Sequence, residues 1–173
     1  GREATSAAML TRRIPYWGYH RPEFRCGQHE IDVQVEVEDV FEWSMLGYFV
    51  GGCVEEEIPV LSGRIGNPSL TRHKHFGAAA ASSGGVELYH IVGITPEAPT
   101  RAAAFGPRRP AQRFVYDEAA RARTYETLNS VGSSREVDDV MRGCPHYSIE
   151  GVRESAYLIE GRKLHWNSAL WMF

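Results

Sequence analysis

The chain has 173 residues, of which 43% are hydrophobic and 24% charged, and its formal net charge is −3. This composition is typical of a soluble globular domain, and its charge argues against a nucleic-acid partner or another polyanion. No apolar run approaches the roughly 20 residues that a membrane-spanning helix needs, so we expect no membrane contact.

The cysteines and the N-terminus indicate the cellular compartment. Cys26, Cys53 and Cys144 are an odd number without CxxC spacing, which argues against a disulfide framework and favours a reducing compartment. The first 15 residues contain no apolar segment of the kind found in secretory signals. We therefore predict a cytoplasmic protein. The chain also lacks an initiating methionine, from which we expect a piece of a longer polypeptide.

The first half of the chain predicts alternating strands and helices. Residues 31–37 alternate apolar and charged side chains, the pattern of a half-exposed strand. A helix is predicted over 38–52, capped by Asp39 and ended by Gly51-Gly52, and a short strand near 58–63. A second helix is predicted after Asn67, and its Ala, Gly and Ser content would let it approach a sheet or a ligand closely.

The second half continues the alternation. Residues 86–93 are a nearly continuous apolar run, typical of a strand buried on both faces. Thr95 and Pro96 predict another helix start. Further along, helices are predicted over 117–130 and 148–161, a loop over 130–136, a short strand over 137–141 and a final strand over 163–173. Such alternation predicts an α/β fold with a mostly parallel sheet and flanking helices.

Two loops are expected at the carboxyl ends of strands, where ligands bind in open α/β sheets. They are residues 93–100 and residues 143–148, and both lead into predicted helix starts. The second loop contains Cys144, which is interpreted either as an iron–sulfur ligand or, less readily, as a nucleophile. From residue chemistry alone, a buried cysteine that packs as a small hydrophobe is the more frequent outcome. His146 beside it makes a poor zinc signal.

Other polar clusters admit a functional and an ordinary interpretation. His73, Lys74 and His75 could grip a carboxylate or a phosphate, or could form a solvated basic face. His20 and Arg25 lie in an aromatic-rich segment that could line a pocket for a charged small molecule, or could be a plain connection. Cys26 and Cys53 are expected to have no chemical role.

Several motifs occur in a characteristic order: "YWGYHRPEFRCGQH", "EWSMLGYFVGG", "KHFGAAAASSGGVELYHIVGITPEAPT", "GCPHYSIEGVRE" and "EGRKLHWNSALW". Together they resemble the large domain of the aconitase X family of hydro-lyases over nearly the whole chain. The resemblance implies an aconitase-like α/β fold and an iron–sulfur dehydratase, closest to the branch that converts cis-3-hydroxy-L-proline to Δ1-pyrroline-2-carboxylate. It also implies that Cys144 is a ligand of the iron–sulfur cluster.

The resemblance further implies how the protein is divided. Residues 1–173 would be a partial large catalytic domain, without its N-terminal part, its C-terminal part and the small swivel domain, which would act in cis or as a separate subunit. Two of the family's three cluster cysteines and its base would lie outside the chain. The 173-residue chain alone is therefore expected to be inactive.

The dehydration chemistry suggests roles for the remaining candidates. Removing water from a β-hydroxy carboxylate needs a Lewis acid for the hydroxyl, a base for the α-proton and cations that hold the carboxylate. We expect Lys74 and His75 to act in catalysis and His20, Arg25, Thr95 and Glu97 to bind the small hydroxy acid. The alternatives are a mevalonate 5-phosphate dehydratase, a non-catalytic remnant of the domain and a cysteine-dependent hydrolase.

Overall fold

The computed structural model describes residues 2–129 and 136–173. In chain order the regular elements are α1 (Arg2–Thr11), β1 (His29–Val33), α2 (Val40–Val54), β2 (Pro59–Gly63), α3 (Leu70–Gly84), β3 (His90–Ile91), α4 (Arg101–Phe105), β4 (Gln112–Tyr116), α5 (Glu118–Leu128), β5 (Asp139–Arg142), α6 (Ile149–Ile159) and β6 (Ala169–Met172). Two short 3₁₀ helices, Gly18–His20 and Pro22–Phe24, precede β1.

The first sheet has four parallel strands in the order β3-β2-β1-β4. Its centre is β1, where Ile31 pairs with Leu61 of β2 and with Phe114 of β4. Ile31 and Val33 are buried and their neighbours half-buried, so the predicted alternation and the parallel α/β class are both confirmed, but the strand spans His29–Val33 and not the predicted 31–37. The main core joins these strands to α2, α3 and α5 through a cluster of buried side chains that includes Trp43, Leu46, Phe76, Tyr116 and Ala120.

Helices α2 and α3 approach each other closely through glycine. A methyl group at Gly47 would overlap the carbonyl oxygen of Phe76, and one at Gly51 would overlap that of Ala80. One at Gly84 would overlap the carbonyl oxygen of Gly51 in return. The small side chains of α3 therefore serve contact with another helix, whereas the sequence suggested contact with a sheet or a ligand.

The helix ends differ from the sequence predictions at three positions. Asp39 does cap α2, accepting from the backbone N–H of Glu42, but the helix continues to Val54 beyond the predicted stop at Gly51-Gly52. Ser69 caps α3, so the prediction of Asn67 was wrong. The helix predicted from Thr95 starts at Arg101, because the side chain of Thr100 caps it.

Two strands also differ from prediction. The strand expected over 86–93 is reduced to His90–Ile91. Strand β4 was not predicted, and four of its five residues are exposed or half-buried, which hides the pattern that periodicity detects. Helix α1 was not predicted either. Most of the predicted loop at 130–136, and the last residue of the helix predicted over 117–130, lie outside the described residues.

A second, smaller sheet pairs β5 with β6 in parallel, with Val140 opposite Leu170 and Met141 opposite Trp171. Helix α6 connects the two strands, and Ser148 caps it as predicted. The final strand is shorter than the predicted 163–173. Among the described residues, the helices are too short or too polar to cross a membrane.

Candidate active site

Cys144 lies in the loop between β5 and α6 and is exposed. Its backbone φ of +137° is uncommon for a residue with a side chain, and Gly143 before it has a φ of +140°. The end of β6 supports the loop, because the N–H of Tyr147 donates to the carbonyl oxygen of Phe173 at 2.7 Å. The expectation of a buried, packing cysteine was therefore wrong, and the thiol is placed where a ligand or substrate can reach it.

Lys74 connects the first sheet's helices to this loop. It extends from α3, and its Nζ donates to the carbonyl oxygen of His146, two residues after Cys144. The ammonium has three N–H donors, so this bond leaves two of them for another acceptor. The structure thus brings together Lys74 and the Cys144 loop, which are 70 positions apart in the sequence.

His75 is held by α2. The hydroxyl of Ser44 donates to the carbonyl oxygen of Val40 at 2.8 Å, and Nδ1 of His75 lies 3.3 Å from Oγ of Ser44. With the Ser44 proton on the Val40 carbonyl oxygen, the contact is a hydrogen bond in the tautomer that carries its proton on Nδ1, and in that tautomer the lone pair of Nε2 is available as a base. Burial, and then the charge of Lys74, lower the pKa of His75. The imidazole is therefore neutral at neutral pH.

His73 of the same helix pairs with Tyr89, which directly precedes β3, a contact that the sequence analysis did not predict. Nδ1 of His73 lies 3.0 Å from the Tyr89 hydroxyl, and the rings stack with centroids 6.1 Å apart. Burial lowers the pKa of His73 and raises the pKa of Tyr89. Both side chains are consequently neutral near pH 7. In the sequence, the aromatic residue in "ELYH" was the feature that could have indicated this contact.

The predicted substrate-binding residues form a separate group. The guanidinium of Arg25 pairs with the Glu97 carboxylate, and the Nε2–H of His90 donates to the carbonyl oxygen of Arg25 at 2.6 Å. The Thr95 hydroxyl accepts from the N–H of Ile91 at 3.0 Å and so closes the turn after β3. His20 is exposed in the first 3₁₀ helix. No described contact joins these four residues to Lys74 or the Cys144 loop.

The cysteines are dispersed. Cys53 is half-buried in α2, and burial raises the pKa of its thiol. Cys26 lies beside Gly106, after α4. In residues 2–129 and 136–173, no group of three His, Cys, Asp or Glu side chains is arranged to hold a metal ion. The described residues therefore fit an iron–sulfur cluster through one exposed thiol, Cys144, and do not form a complete site for it.

A cavity of about 600 Å³ opens where β1 and β2 end, and the sequence analysis did not identify it. Arg64, Arg72, Glu36 and Glu38 line it together with backbone of the 63–66 loop. Neither guanidinium makes an ion pair or a side-chain hydrogen bond with the described residues. An arginine directly after a strand, at the carboxyl edge of a parallel sheet, was the available signal.

Comparison with known families identifies the chain. The family model described as the aconitase X second domain matches residues 27–126, more than half of the chain. The chain belongs to the aconitase X family. The matched region runs from the start of β1 into α5, so the aconitase X second domain corresponds to the first sheet with its helices, and β5, α6 and β6 follow it.

Curated relatives fall into two groups of dehydratases. The cis-3-hydroxy-L-proline dehydratases of Hypocrea jecorina and Pseudomonas aeruginosa are each 36% identical, over 90% and 93% of this chain and 27% and 28% of their own length. The large subunit of phosphomevalonate dehydratase from Methanocaldococcus jannaschii is 30% identical, over 99% of this chain and 42% of its length. The chain thus spans between about a quarter and two fifths of the aconitase X relatives it matches.

A solved structure shows the same fold. The crystal structure of Thermococcus kodakaraensis aconitase X in its holo-form superposes with a TM-score of 0.75 and 26% identity. The superposition covers 99% of this chain and 42% of that structure. The aconitase-like fold that the motifs implied is confirmed for the part of the chain that the structure describes.

Proposed function

We propose that the protein is the part of an aconitase X hydro-lyase that positions substrate for the elimination of water from a hydroxy acid, with cis-3-hydroxy-L-proline as the substrate and Δ1-pyrroline-2-carboxylate as the product. The observation that carries the proposal is the bond from Lys74 to the carbonyl oxygen of His146, because it unites a cation, a neighbouring histidine and an exposed cysteine. The 36% identity to two proteins named cis-3-hydroxy-L-proline dehydratase favours this substrate.

In this proposal Lys74 and His75 divide the work on the substrate. The two free N–H groups of Lys74 hold the carboxylate, on which negative charge grows as the α-proton leaves. His75 accepts a proton at Nε2, the nitrogen that its contact with Ser44 leaves unprotonated. Its lowered pKa keeps it unprotonated at neutral pH. Either this histidine removes the α-proton itself or it assists a base outside the described residues.

Cys144 is proposed as one ligand of an iron–sulfur cluster whose other ligands come from polypeptide outside residues 2–129 and 136–173. Its exposure and its place in the loop at the carboxyl end of β5 support this role, since ligands of α/β proteins bind at such loops. A bound cluster would supply a Lewis acid for the leaving hydroxyl.

The remaining predicted residues receive supporting roles. The Arg25–Glu97 ion pair ties the segment before β1 to the loop after β3, and the Thr95 hydroxyl stabilises that loop. We propose that these three residues shape one wall of the substrate site, and that His20 contacts the substrate only when further polypeptide covers the first 3₁₀ helix. The small swivel domain, in cis or as a separate subunit, is the proposed partner, and the cytoplasm the proposed location.

A second candidate is mevalonate 5-phosphate dehydration. The observation that favours it is that Arg64 and Arg72 both line the cavity where β1 and β2 end, with guanidinium groups that form no ion pair with the described residues. Paired arginines suit a phosphate, which accepts several charge-assisted hydrogen bonds. A further alternative is a non-catalytic remnant of the domain. It would also account for finding one proposed cluster ligand, and no complete metal site, among the described residues.

The test is a competition assay on the protein expressed anaerobically from its full reading frame, with the swivel domain supplied. Turnover of cis-3-hydroxy-L-proline without turnover of mevalonate 5-phosphate supports the first proposal. The reverse preference, lost in Arg72→Gln, supports the second. A protein that loads iron but converts neither substrate is inconsistent with both.

A further inference from the structure

The cavity where β1 and β2 end carries both signs of charge on its wall. Glu36 and Glu38 line it from the segment after β1. Arg64 lines it from the loop after β2, and Arg72 from the first turn of α3. None of these four side chains forms an ion pair or a hydrogen bond with the residues that the structure describes. Two cations and two anions therefore share one cavity and leave their charged groups available.

The nearby carboxylates are paired, so the lack of partners is particular to this cavity. Glu42 pairs with Arg121 and also accepts a hydrogen bond from the backbone N–H of Glu38 at 2.8 Å. Asp32, in β1, pairs with Arg113 of β4. Side chains of opposite charge that line one cavity without pairing can each bind a ligand that carries the complementary charge.

Backbone contacts fix two walls of the cavity relative to each other. Gly63 has a φ of +109°, and a methyl group there would lie 2.2 Å from the carbonyl oxygen of Val33. The N–H of Arg64 donates to the same carbonyl oxygen at 2.7 Å. The end of β2 is thus held against the end of β1, and the side chain of Arg64 starts from a fixed position beside the segment that contains Glu36.

Apolar side chains complete the wall. Val37 is buried and Ile65 half-buried, and both line the cavity and belong to or pack against the main core. The volume of about 600 Å³ lies within the roughly 300–1,000 Å³ of small-molecule sites. The wall therefore suits a small molecule that combines an aliphatic part, a carboxylate and a cationic nitrogen.

We propose that this cavity binds a free aliphatic α-amino or imino acid as its zwitterion. Arg64 and Arg72 bind the carboxylate, whose two oxygens match the planar fork of a guanidinium group. Glu36 and Glu38 accept hydrogen bonds from the cationic nitrogen. The four side chains sum to zero charge, as the ligand does. A phosphate, by contrast, would meet the two glutamates as like charges, which disfavours it.

The cavity is separate from the proposed reaction site. Arg72 and Lys74 are two residues apart on α3, and with about 3.6 residues per turn they lie on nearly opposite sides of the helix. Lys74 extends toward the Cys144 loop, where it binds the carbonyl oxygen of His146. Arg72 therefore extends away from that loop. Binding in the cavity does not depend on the proposed function and can be measured without turnover.

The test is a titration of the 173-residue chain, labelled with nitrogen-15, in which NMR follows the backbone amides. L-Proline is the probe, because it is a zwitterion without a hydroxyl group to eliminate. We expect chemical-shift changes in residues 36–38, 63–66 and 72, and none in residues 143–147. N-Acetyl-L-proline lacks the cationic nitrogen and pyrrolidine lacks the carboxylate, so each should bind more weakly by roughly tenfold or more.

Two variants separate the contributions of the two charges. Arg72→Gln and Glu36→Gln should each weaken proline binding by roughly tenfold or more, since each removes one charged partner. The matched controls are Arg108→Gln and Glu126→Gln, which make the same changes at exposed positions outside the cavity. Both should bind proline as the unchanged chain does. Unaltered amide shifts in β1 verify that each variant is folded.

Three results overturn the inference. Equal binding of L-proline and N-acetyl-L-proline would show that the glutamates do not recognise the cationic nitrogen. Inorganic phosphate that binds more tightly than proline, and more tightly still to Glu36→Gln, would assign the cavity to an anion. A proline titration that leaves residues 36–38, 63–66 and 72 unshifted would show that the cavity does not bind a zwitterion.

Discussion

Lys74 on α3 donates a hydrogen bond to the carbonyl oxygen of His146, and this bond is a link between the four-stranded sheet and the β5–α6–β6 unit. Both residues come from segments whose local sequence gives no reason for the contact. Because Cys144 and His146 share one short loop, this bond anchors the loop that carries the exposed thiol to α3.

Replacing Lys74 by methionine should remove the cation from the proposed carboxylate site while retaining most of the aliphatic stem. Loss of one preorganised donor to a developing oxyanion typically lowers kcat about 10²–10³-fold. Steady-state kinetics on the assembled enzyme measure this. Iron content should stay unchanged, and Lys74→Arg should recover part of the rate, since a merely structural lysine would not show this pattern.

Cys144→Ser should abolish iron binding by the assembled protein without unfolding it, because the side chain is exposed and supports no core contact. Visible absorbance and iron analysis after anaerobic purification are the measurements. Cys53→Ser is the control, since that half-buried thiol lies in α2 and should leave the iron content intact. Equal iron in the Cys144 variant would reject the ligand assignment.

Gly51→Ala should destabilise the fold by about 1–3 kcal/mol, the usual cost of overpacking. The added methyl would collide with the Ala80 carbonyl oxygen across the α2–α3 contact. Gly52→Ala, one residue on in the same helix, meets open space and should be neutral or stabilising by up to ~1 kcal/mol. Urea unfolding of both variants provides the comparison, and similar midpoints would refute the close helix contact.

Stability should fall on the acid side because burial lowers the pKa of both His73 and His75. The unfolded chain, with ordinary histidine pKa values near 6.5, then binds protons that the folded protein resists. The stability that the two neutral histidines contribute is fully present above about pH 6.5. It is lost as the pH falls through their lowered pKa values in the folded protein. Urea midpoints at pH 7.5 and pH 5 measure it. The double variant His73→Gln/His75→Gln should flatten the dependence more than His165→Gln.

Tyr116→Phe should stabilise the protein by roughly 1 kcal/mol, because the buried hydroxyl has no hydrogen-bond partner among the described residues. Burial also raises the pKa of Tyr116 to about 12. Tyr116 in the unfolded chain therefore loses its proton near pH 10, while the folded protein retains it. The free energy of unfolding falls as the pH rises from 10 toward 12. The phenylalanine variant should lose less stability between pH 8 and pH 11. A lower urea midpoint at pH 8 would indicate an undetected partner for the hydroxyl.

Local signals in the sequence accounted for the central elements. Alternation located β1, and the Asp39 and Ser148 caps located the starts of α2 and α6. Competing local signals explain the errors: Thr95 and Thr100 can both cap a helix, and the hydroxyl of Thr95 is used by the turn after β3. Strand β4 could not be predicted from its own side chains, because they are largely exposed. It forms because its backbone pairs with β1.

The site was predictable residue by residue but not as an arrangement. Cys144 and Lys74 were named from their types and local context, yet their proximity depends on how α3 lies against the second unit. Arg25 and Glu97 were both chosen as binding residues, and the fold pairs them with each other across 72 positions. Arg64 and Arg72 became visible only when the ends of β1 and β2 formed a cavity between them.

The glycine contact between α2 and α3 has a consequence for the chemistry. Because the two helix backbones touch at Gly47, Gly51 and Gly84, α3 cannot slide along α2 without steric collision. The axial position of His75 is thus set by main-chain geometry, about two and a half helical turns away from Gly84. Substitutions along this seam should therefore act at a distance and shift the His75 imidazole along α2 even where the protein remains folded.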